Sequence, residues 1–587
     1  RRQRQMCIRD RYASRALSRA HRLNKNPQCG QASLIRASAR ERLQQWHDAQ
    51  EDFWRAVWSG NSKAGGYYGL ARLATRSERY DDALAFCRQS LLACPTNQDV
   101  LSLETLLLHL TGRRSQALQQ IEKLLGDYPL NPTLWWLNAT ISEAEADTAR
   151  WFAVCQSRDI NALLTAGLLL SWGMAARAKA VLTALNCQKT LPLYLQASLA
   201  EGNERIALIN RAREVFADFV RFPNLLVEVA ALEKIPECYF AQHLLACFHY
   251  SRRHYEKATQ LWHRCVEMAP DFADAWRGLA IHAWNKQSDA HLAAAYLEKA
   301  CARQPQDARL LFERDLLDKL TAVEPEKRLA RLEANLATAL KRDDLTAELL
   351  HLWHLAGNVE QAANVLASRK FHPWEGGEGK VTSQFVINQL LRAWPYLQPQ
   401  PQQAETLLLS ALRYPENLSE GRLPGQTDND IWFWLGICAR QQGMEERALE
   451  CFRKAASGDR TINIHSYYND QPVDYLFWQG VALRMLGDRL SSERLFTEML
   501  QWAEHMETAQ IEADFFAVSQ PDLLALYADI QKQHQEKCLL VRVLASAGLG
   551  GGSRHEQALS ALEALNPAWA KAALFRKTLP FVLHLIN

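Results

Sequence analysis

The chain has 587 residues, 48% of them hydrophobic and 23% charged, with a formal net charge of +3. This balance excludes an intrinsically disordered chain, and the length exceeds one compact core but suits an open array of small units. Thirteen cysteines, an odd number with no metal-ligand spacing and no disulfide framework, point to a reducing, cytoplasmic compartment.

Taken in chain order, the first segment, Arg1 to Arg11, ends in Met6-Cys7-Ile8-Arg9-Asp10-Arg11. It resembles a translated sequencing-library end, so it is expected to pack against nothing specific. Its five arginines and one aspartate carry +4, which turns +3 into about −1 when they are set aside, and the apparent basicity goes with them. The same observation leads to the expectation that the natural protein begins upstream and that this chain is its carboxyl-terminal portion. Residues 12–60 read as a helical lead-in, in which Arg15, Arg19 and Arg22 form a solvated face rather than a nucleic-acid arm.

Residues 61–368 carry a period. Ala83 and Ala117 lie 34 residues apart, as do Pro95 and Pro129 at the ends of helices. The charge-free run 160–176 has 17 residues, the lower limit for a membrane span. Its Asn161, Ala166, Gly167, Ser171 and Gly173 fit a repeat helix better, and no span is expected. Looser copies follow at Gly173 with Ala178 and Leu182, and at Gly202 with Ala207. A clear unit holds Ala258, Trp262, Cys265 and Pro270. The next holds Trp276, Leu279, Ala280, Ala283, Ala293, Leu297, Ala300 and Pro305, with one extra residue in the turn from Asn285 to Asp289, where insertion costs little. Gly357 with Ala362 and Leu366 continues the series. A glycine-rich loop, 369–382, interrupts it, and residues 383–587 resume it with long inserted loops. The best copy is Trp432, Leu435, Gly436, Ala439, Gly443, Ala448, Phe452 and Ala455, echoed by Gly480, Gly487, Ser492 and Phe496.

These offsets resemble the tetratricopeptide repeat, with a large residue, Leu and a small residue on helix A, Gly at the turn, then Ala and Phe on helix B. Two antiparallel helices approach closely only where small side chains face each other, which is the part given to Gly436 and Ala448. Gly443 permits the positive φ that ends helix A, and proline ends helix B. The expected fold is all-α, an α-solenoid of antiparallel helix pairs; unrelated amphipathic helices would not repeat breakers and small residues at the same offsets.

A second pattern is more specific. The run Arg369-Lys370-Phe371-His372-Pro373-Trp374-Glu375-Gly376-Gly377-Glu378-Gly379-Lys380-Val381 resembles a signature of large bacterial proteins whose amino-terminal part is the domain of unknown function numbered 5107. Arg413-Tyr414-Pro415-Glu416-Asn417-Leu418, Asp514-Phe515-Phe516 and Pro521-Asp522-Leu523-Leu524 follow in the order of that family. The resemblance implies an upstream β-sandwich domain akin to sugar mutarotase folds and a tetratricopeptide region, which this chain supplies. It names no reaction.

The loop is the candidate interaction site, because loops that long are uncommon without a purpose. Gly376, Gly377 and Gly379 let the backbone turn sharply, presenting Glu375, Glu378 and Lys380 beside Trp374 and His372, with Tyr414 as a further member. An indole beside carboxylates suits a sugar ring. The competing reading packs Trp374 into the solenoid and uses the glycines to reverse the chain. The loop is not a phosphate loop, since Trp374 and Val381 stand where that motif needs Gly and Ser or Thr. Gly548-Leu549-Gly550-Gly551-Gly552 lacks the preceding strand of a dinucleotide site and reads as a lengthened turn. No catalytic, cofactor-binding or metal-binding residue is assigned. His249, His254 and His263, and His351 with His354, lack companion ligands and read as exposed or capping groups. Trp135, Trp262, Trp276 and Trp432 read as packing residues, and the corrected charge argues against nucleic acid.

Two functions are consistent with these readings. In the first, the chain is a protein-interaction scaffold without enzymatic activity of its own, whose concave groove, lined by helix A, receives a protein or peptide. In the second, it is the accessory half of a carbohydrate-active protein, with the Trp374 loop reaching the upstream β-sandwich domain of the same polypeptide and, through it, carbohydrate.

Overall fold

The structure, a computed structural model, describes residues 15, 18–19, 29–155, 159–215, 221–374, 376–464, 471–512 and 525–586. Arg1 to Arg11, Arg22, Glu375, Asp514 to Phe516 and Pro521 to Leu524 lie outside the described residues. Among the described residues every regular element is a helix and none is a strand, so the all-α fold stands. The chain divides into two compact units, Arg1–Met268 and Ala269–Asn587.

In the first unit, helices follow one another as antiparallel neighbours, and the small residues that mark the period, Ala83, Ala117 and Ala178, have no exposed surface. The charge-free run forms the helix Asp159–Ser171, the turn at Gly173 and the start of the helix Ala175–Leu185. Among the described residues no helix is long and apolar enough to cross a membrane. Gly173, at φ +85, is pressed against Arg76, whose guanidinium donates to the carbonyls of Leu170 and Ser171. The copy at Gly202 is out of register. Ala207 is exposed while Leu208, Ile209 and Ala212 are buried, because Gly202 is itself the first residue of the helix Gly202–Glu214.

The second unit runs through α1 (Ala273–Gln287), α2 (Ala290–Arg303), α3 (Ala308–Leu320), α4 (Pro325–Ala334) and the short α5 (Leu336–Ala339). Four pairs follow: α6 (Asp343–Ala356) with α7 (Val359–Ser368), α8 (Lys380–Ala393) with α9 (Pro401–Ala411), α10 (Asn429–Gln441) with α11 (Glu445–Ala455), and α12 (Tyr475–Met485) with α13 (Arg489–Met506). The chain closes with α14 (Ile530–Gly548), α15 (Ser553–Leu565) and α16 (Ala572–Ile586). The interrupting loop is shorter than the sequence suggested, since α8 starts at Lys380.

Close approach within pairs is set by glycine against phenylalanine. A Cβ on Gly436 of α10 would stand 2.5 Å from the Phe452 ring of α11, and one on Gly480 of α12 would stand 2.3 Å from the Phe496 ring of α13. Gly548 of α14 covers the same Phe496 ring, its Cβ position 2.5 Å away. Phe452 also meets Phe433 at 5.9 Å. Trp432 stays half-buried under the Lys454 ammonium, 4.3 Å from the ring centre, so the large buried group beside Phe452 is Phe433 and not Trp432. Prolines that end helices are tied down from the next helix: Trp135 Nε1 donates to the Pro129 carbonyl and Trp276 Nε1 to that of Pro270, both at 2.8 Å. Cys87, Cys265 and Cys451 are buried free thiols, filling space as small apolar groups.

These contacts leave no room for added atoms. Ala448 and Gly436 are fitted against neighbours, so Ala448→Leu and Gly436→Ala should each destabilise the chain by about 1–3 kcal/mol through overpacking. Urea unfolding checks this; midpoints equal to wild type would remove the slot assignment.

Candidate interaction surfaces of the second unit

The glycine-rich loop is tied down at both ends. Arg369 pairs with Asp343 at 2.6 Å, and the same carboxylate accepts from the His372 backbone N–H at 3.0 Å and faces His372 Nδ1 at 3.3 Å. Asn417 adds a clamp by donating Nδ2 to the carbonyls of Leu366 and Arg369 and accepting from Phe371 N–H on its own carbonyl. At the far end Gly379, at φ +77, is the N-cap of α8, and its N–H donates to Glu420, which also accepts from Thr382 Oγ1. A carboxylate at a helix N-terminus satisfies orphan donors and opposes the dipole. Burial pushes the Glu420 carboxyl upward, and the Gly379 N–H pulls it back.

Within this frame Trp374 folds onto its own loop. A Cβ on Gly377 would stand 1.9 Å from the indole, so glycine at 377 is what lets the ring lie down, and Trp374 is half-buried against the core. His372, Glu378 and Lys380 are exposed. Tyr414 is half-buried, edge-on to Phe385 at 6.3 Å, and its hydroxyl accepts from Gln426 Nε2 at 2.9 Å. The loop thus combines an apolar anchor with an exposed polar rim, while Tyr414 belongs to a separate polar network.

That network leads to the inner face of the unit. Gln426 also donates to Asp428, which pairs with Arg422. Beyond it lie two equivalent aspartates. The sequence Asp-x-x-Phe-Trp-x-Gly occurs at Asp430 to Gly436 and again at Asp474 to Gly480, 44 residues later, and Lys571 reaches both carboxylates, Asp474 at 2.6 Å and Asp430 at 3.5 Å. Burial opposes the Lys571 charge, but Asp474 and Asp430 outweigh it and raise the ammonium pKa. The buried Asp430 carboxyl is raised by desolvation and by Asp474, against the pull of Lys571.

Lys571 directs the last helix onto α6, α8 and α12. Phe575 stacks on Trp478 at 5.7 Å and on Trp569 at 5.9 Å, and Phe581 meets Trp394 at 5.5 Å and Trp434 at 6.1 Å. Arg484 donates to the carbonyls of Gly548 and Ile586, joining two helix ends. Further along, Leu526 is buried among α1 and α3 side chains, and Asn285 accepts from Tyr527 N–H and donates to the Ala525 carbonyl. The groove expected to receive a peptide is therefore occupied, in this unit, by the chain itself. Trp569, Leu574, Phe575, Leu579 and Val582 are buried there, on the order of 10 kcal/mol of apolar burial at about 1.5–3 kcal/mol per side chain. Detaching them would consume the whole stability of an ordinary domain. These residues, and Asp430 and Asp474, were missed in the sequence; the duplicated Asp-x-x-Phe-Trp-x-Gly was the available signal.

The histidines also differ from expectation. His254 and His263 are exposed, but His249, His351 and His354 are buried. His351 Nε2 meets the Ala568 carbonyl at 3.0 Å, helping to seat the last segment. His354 Nδ1 meets Gln384 Oε1 at 2.9 Å and its Nε2 meets Asn388 Nδ2 at 3.1 Å, a neutral ring donating from Nδ1 and accepting at Nε2. Burial lowers its pKa to about 4. Among the described residues no group of three His, Cys, Asp or Glu side chains could hold a metal ion.

Family models of the tetratricopeptide repeat match residues 243–308 and 430–460. The chain carries tetratricopeptide repeats. The second match covers the Gly436, Ala448 and Phe452 unit, and the first covers the units around Trp262 and Trp276. Similar solved structures include Naa15/Naa10 bound to HypK-THB, 12% identical over 99% of this chain and 97% of that one, TM-score 0.23. Yeast Tom70 is 11% identical over 86% and 98%, TM-score 0.24, and the APC/C hetero-tetramer Cut9-Hcn1 is 11% identical over 85% and 91%, TM-score 0.26. Likeness at this level says nothing of the partners of this chain.

Two outcomes are expected. Lys571→Met leaves Asp430 and Asp474 buried without a counter-charge and should cost about 3–5 kcal/mol in chemical denaturation, partly restored by Asp430→Asn. For His354, the folded-state pKa lies below the ordinary 6.5, so the unfolded chain takes up the proton first. Its contribution is full above pH 6.5 and is lost as pH falls towards about 4, by about 3 kcal/mol. His354→Gln should flatten stability over that window, measured by urea midpoints at pH 7 and 4.5.

Proposed function

We propose that this chain is a protein-interaction scaffold whose repeats hold a preformed surface for a partner protein. The observation that supports it is the tandem tetratricopeptide repeats, since rigid helix pairs present contact residues at fixed spacing with little ordering cost. With the inner face of the second unit occupied, the partner meets exposed surface elsewhere. The helix Trp46–Ala56 of the first unit offers one. Trp46 and Trp54 are each 40% exposed, and Trp58 just beyond is 89% exposed. Trp46 and Trp54 lie eight residues apart, on one face. Trp54 is held edge-on to Tyr67 and Phe86, at 6.3 and 5.6 Å. Exposed tryptophans on a rigid support are the material of interface anchors. Cross-linking and mass spectrometry in a lysate of the source cells tests this. The expected outcome is a partner cross-linked beside Trp58 and reduced several-fold in Trp54→Ser/Trp58→Ser; equal cross-linking by both proteins, or none by either, counts against it.

A second reading makes the array the carboxyl-terminal, accessory half of a larger bacterial carbohydrate-active protein with an upstream β-sandwich domain. It draws on the anchored loop, where exposed His372 and Glu378 flank the half-buried Trp374 indole. Under it, Trp374→Ala in the full-length protein lowers glycan binding or domain docking at unchanged melting temperature. Loss of stability alone assigns the loop to packing.

A further inference from the structure

We propose that a cleft between α7, α8 and the end of α9 binds an extended peptide segment with a branched apolar side chain next to a carboxylate. The proposal rests on the scaffold reading and gives it a second surface and a partner chemistry. The cleft has a volume of about 670 Å³, within the usual range for ligand sites. Ala363 and Ala367, one turn apart on α7, leave the room, and Leu366, Phe385, Leu409 and Leu412 make the apolar walls. Leu409 is 42% exposed at the mouth, so apolar surface waits there uncovered.

The polar groups of the cleft point to a main chain as the occupant. Gln389 is 8% exposed, and its Oε1 is buried without a hydrogen-bond partner among the described residues. Beside it Asn388 spends Nδ2 on His354 and on the Val359 carbonyl, while its buried Oδ1 has no partner among the described residues. A buried unpaired carbonyl costs about 1–3 kcal/mol, and Gln389, whose side chain lines the cleft, removes that cost when its carboxamide turns outward to a ligand N–H. A carboxamide offers acceptor and donor side by side, the complement of a peptide C=O and N–H. The rim is cationic. Arg392 bonds Glu360 through Nε at 3.0 Å, and Arg413 is exposed with no ion pair among the described residues. The Arg413 guanidinium at the mouth of an apolar cleft selects an acidic residue beside the buried side chain.

Random heptapeptides displayed on phage, selected on the full chain and counter-selected on its Ala363→Trp variant, test the proposal. The enriched sequences should share Leu, Ile or Val adjacent to Asp or Glu. A fluorescein-labelled synthetic copy should bind the wild-type chain and lose about tenfold in affinity to Gln389→Ala and a comparable factor to Arg413→Glu, the latter with its melting temperature unchanged. Arg413 lies on the surface, so its variant keeps the test decisive if Ala363→Trp fails to fold. Failure to enrich any such sequence, or an enriched peptide that binds Gln389→Ala and Arg413→Glu as tightly as wild type, overturns the proposal. The scaffold reading is judged separately, by the partner cross-linked beside Trp58.

Discussion

Helices α10 and α12 bury residues on nearly every side, and a helix apolar all round must be covered all round. Helix B covers one face of each through the glycine contacts at Phe452 and Phe496. The opposite face is covered by the chain's own last helix, and that requirement organises the second unit. Asp430 and Asp474 occupy equivalent places in successive repeats, so a single cation placed between them serves both. Lys571 is that cation, and once it is seated, Phe575 and Phe581 fall against Trp478, Trp434 and Trp394. Electrostatics selects the register here and apolar burial supplies the energy, since a buried ion pair by itself contributes little net stability.

Filling the inner face changes where function can reside. A repeat array usually offers its concave side to a ligand, but in the second unit that side is core. In the second unit the surface that stays exposed includes the anchored loop and the Gln389 cleft. The loop and the cleft are neighbours in the chain, because Asn417, which clamps the start of the loop, follows two residues after Pro415 at the rim of the cleft.

What the sequence made legible was local. Gly436, Ala448 and Phe452 could be placed because close helix approach dictates their offsets within one repeat. Ala83 and Ala117 were equally plain. One helix that begins on its glycine sufficed to shift the reading at Ala207, where Leu208 takes the buried place. Contacts across the unit were beyond reach: Lys571 lies far in sequence from both aspartates, and no periodicity announces which lysine will arrive between them. His351 failed for the same reason, since it meets the segment around Ala568, far along the chain. Trp374 was open to two readings because glycine serves a projecting loop and a collapsed one alike, and Gly377 is where the indole comes to rest.

The last helix is core of the second unit and not a detachable tail. Hydrogen exchange measured residue by residue probes this without perturbing the chain, because elements that open together share one opening free energy. Amides of α16 should exchange with the same protection as those of α10 and α12. Amides of α16 exchanging orders of magnitude faster, while α10 and α12 stay protected, would show that the helix detaches and that the inner face is open after all.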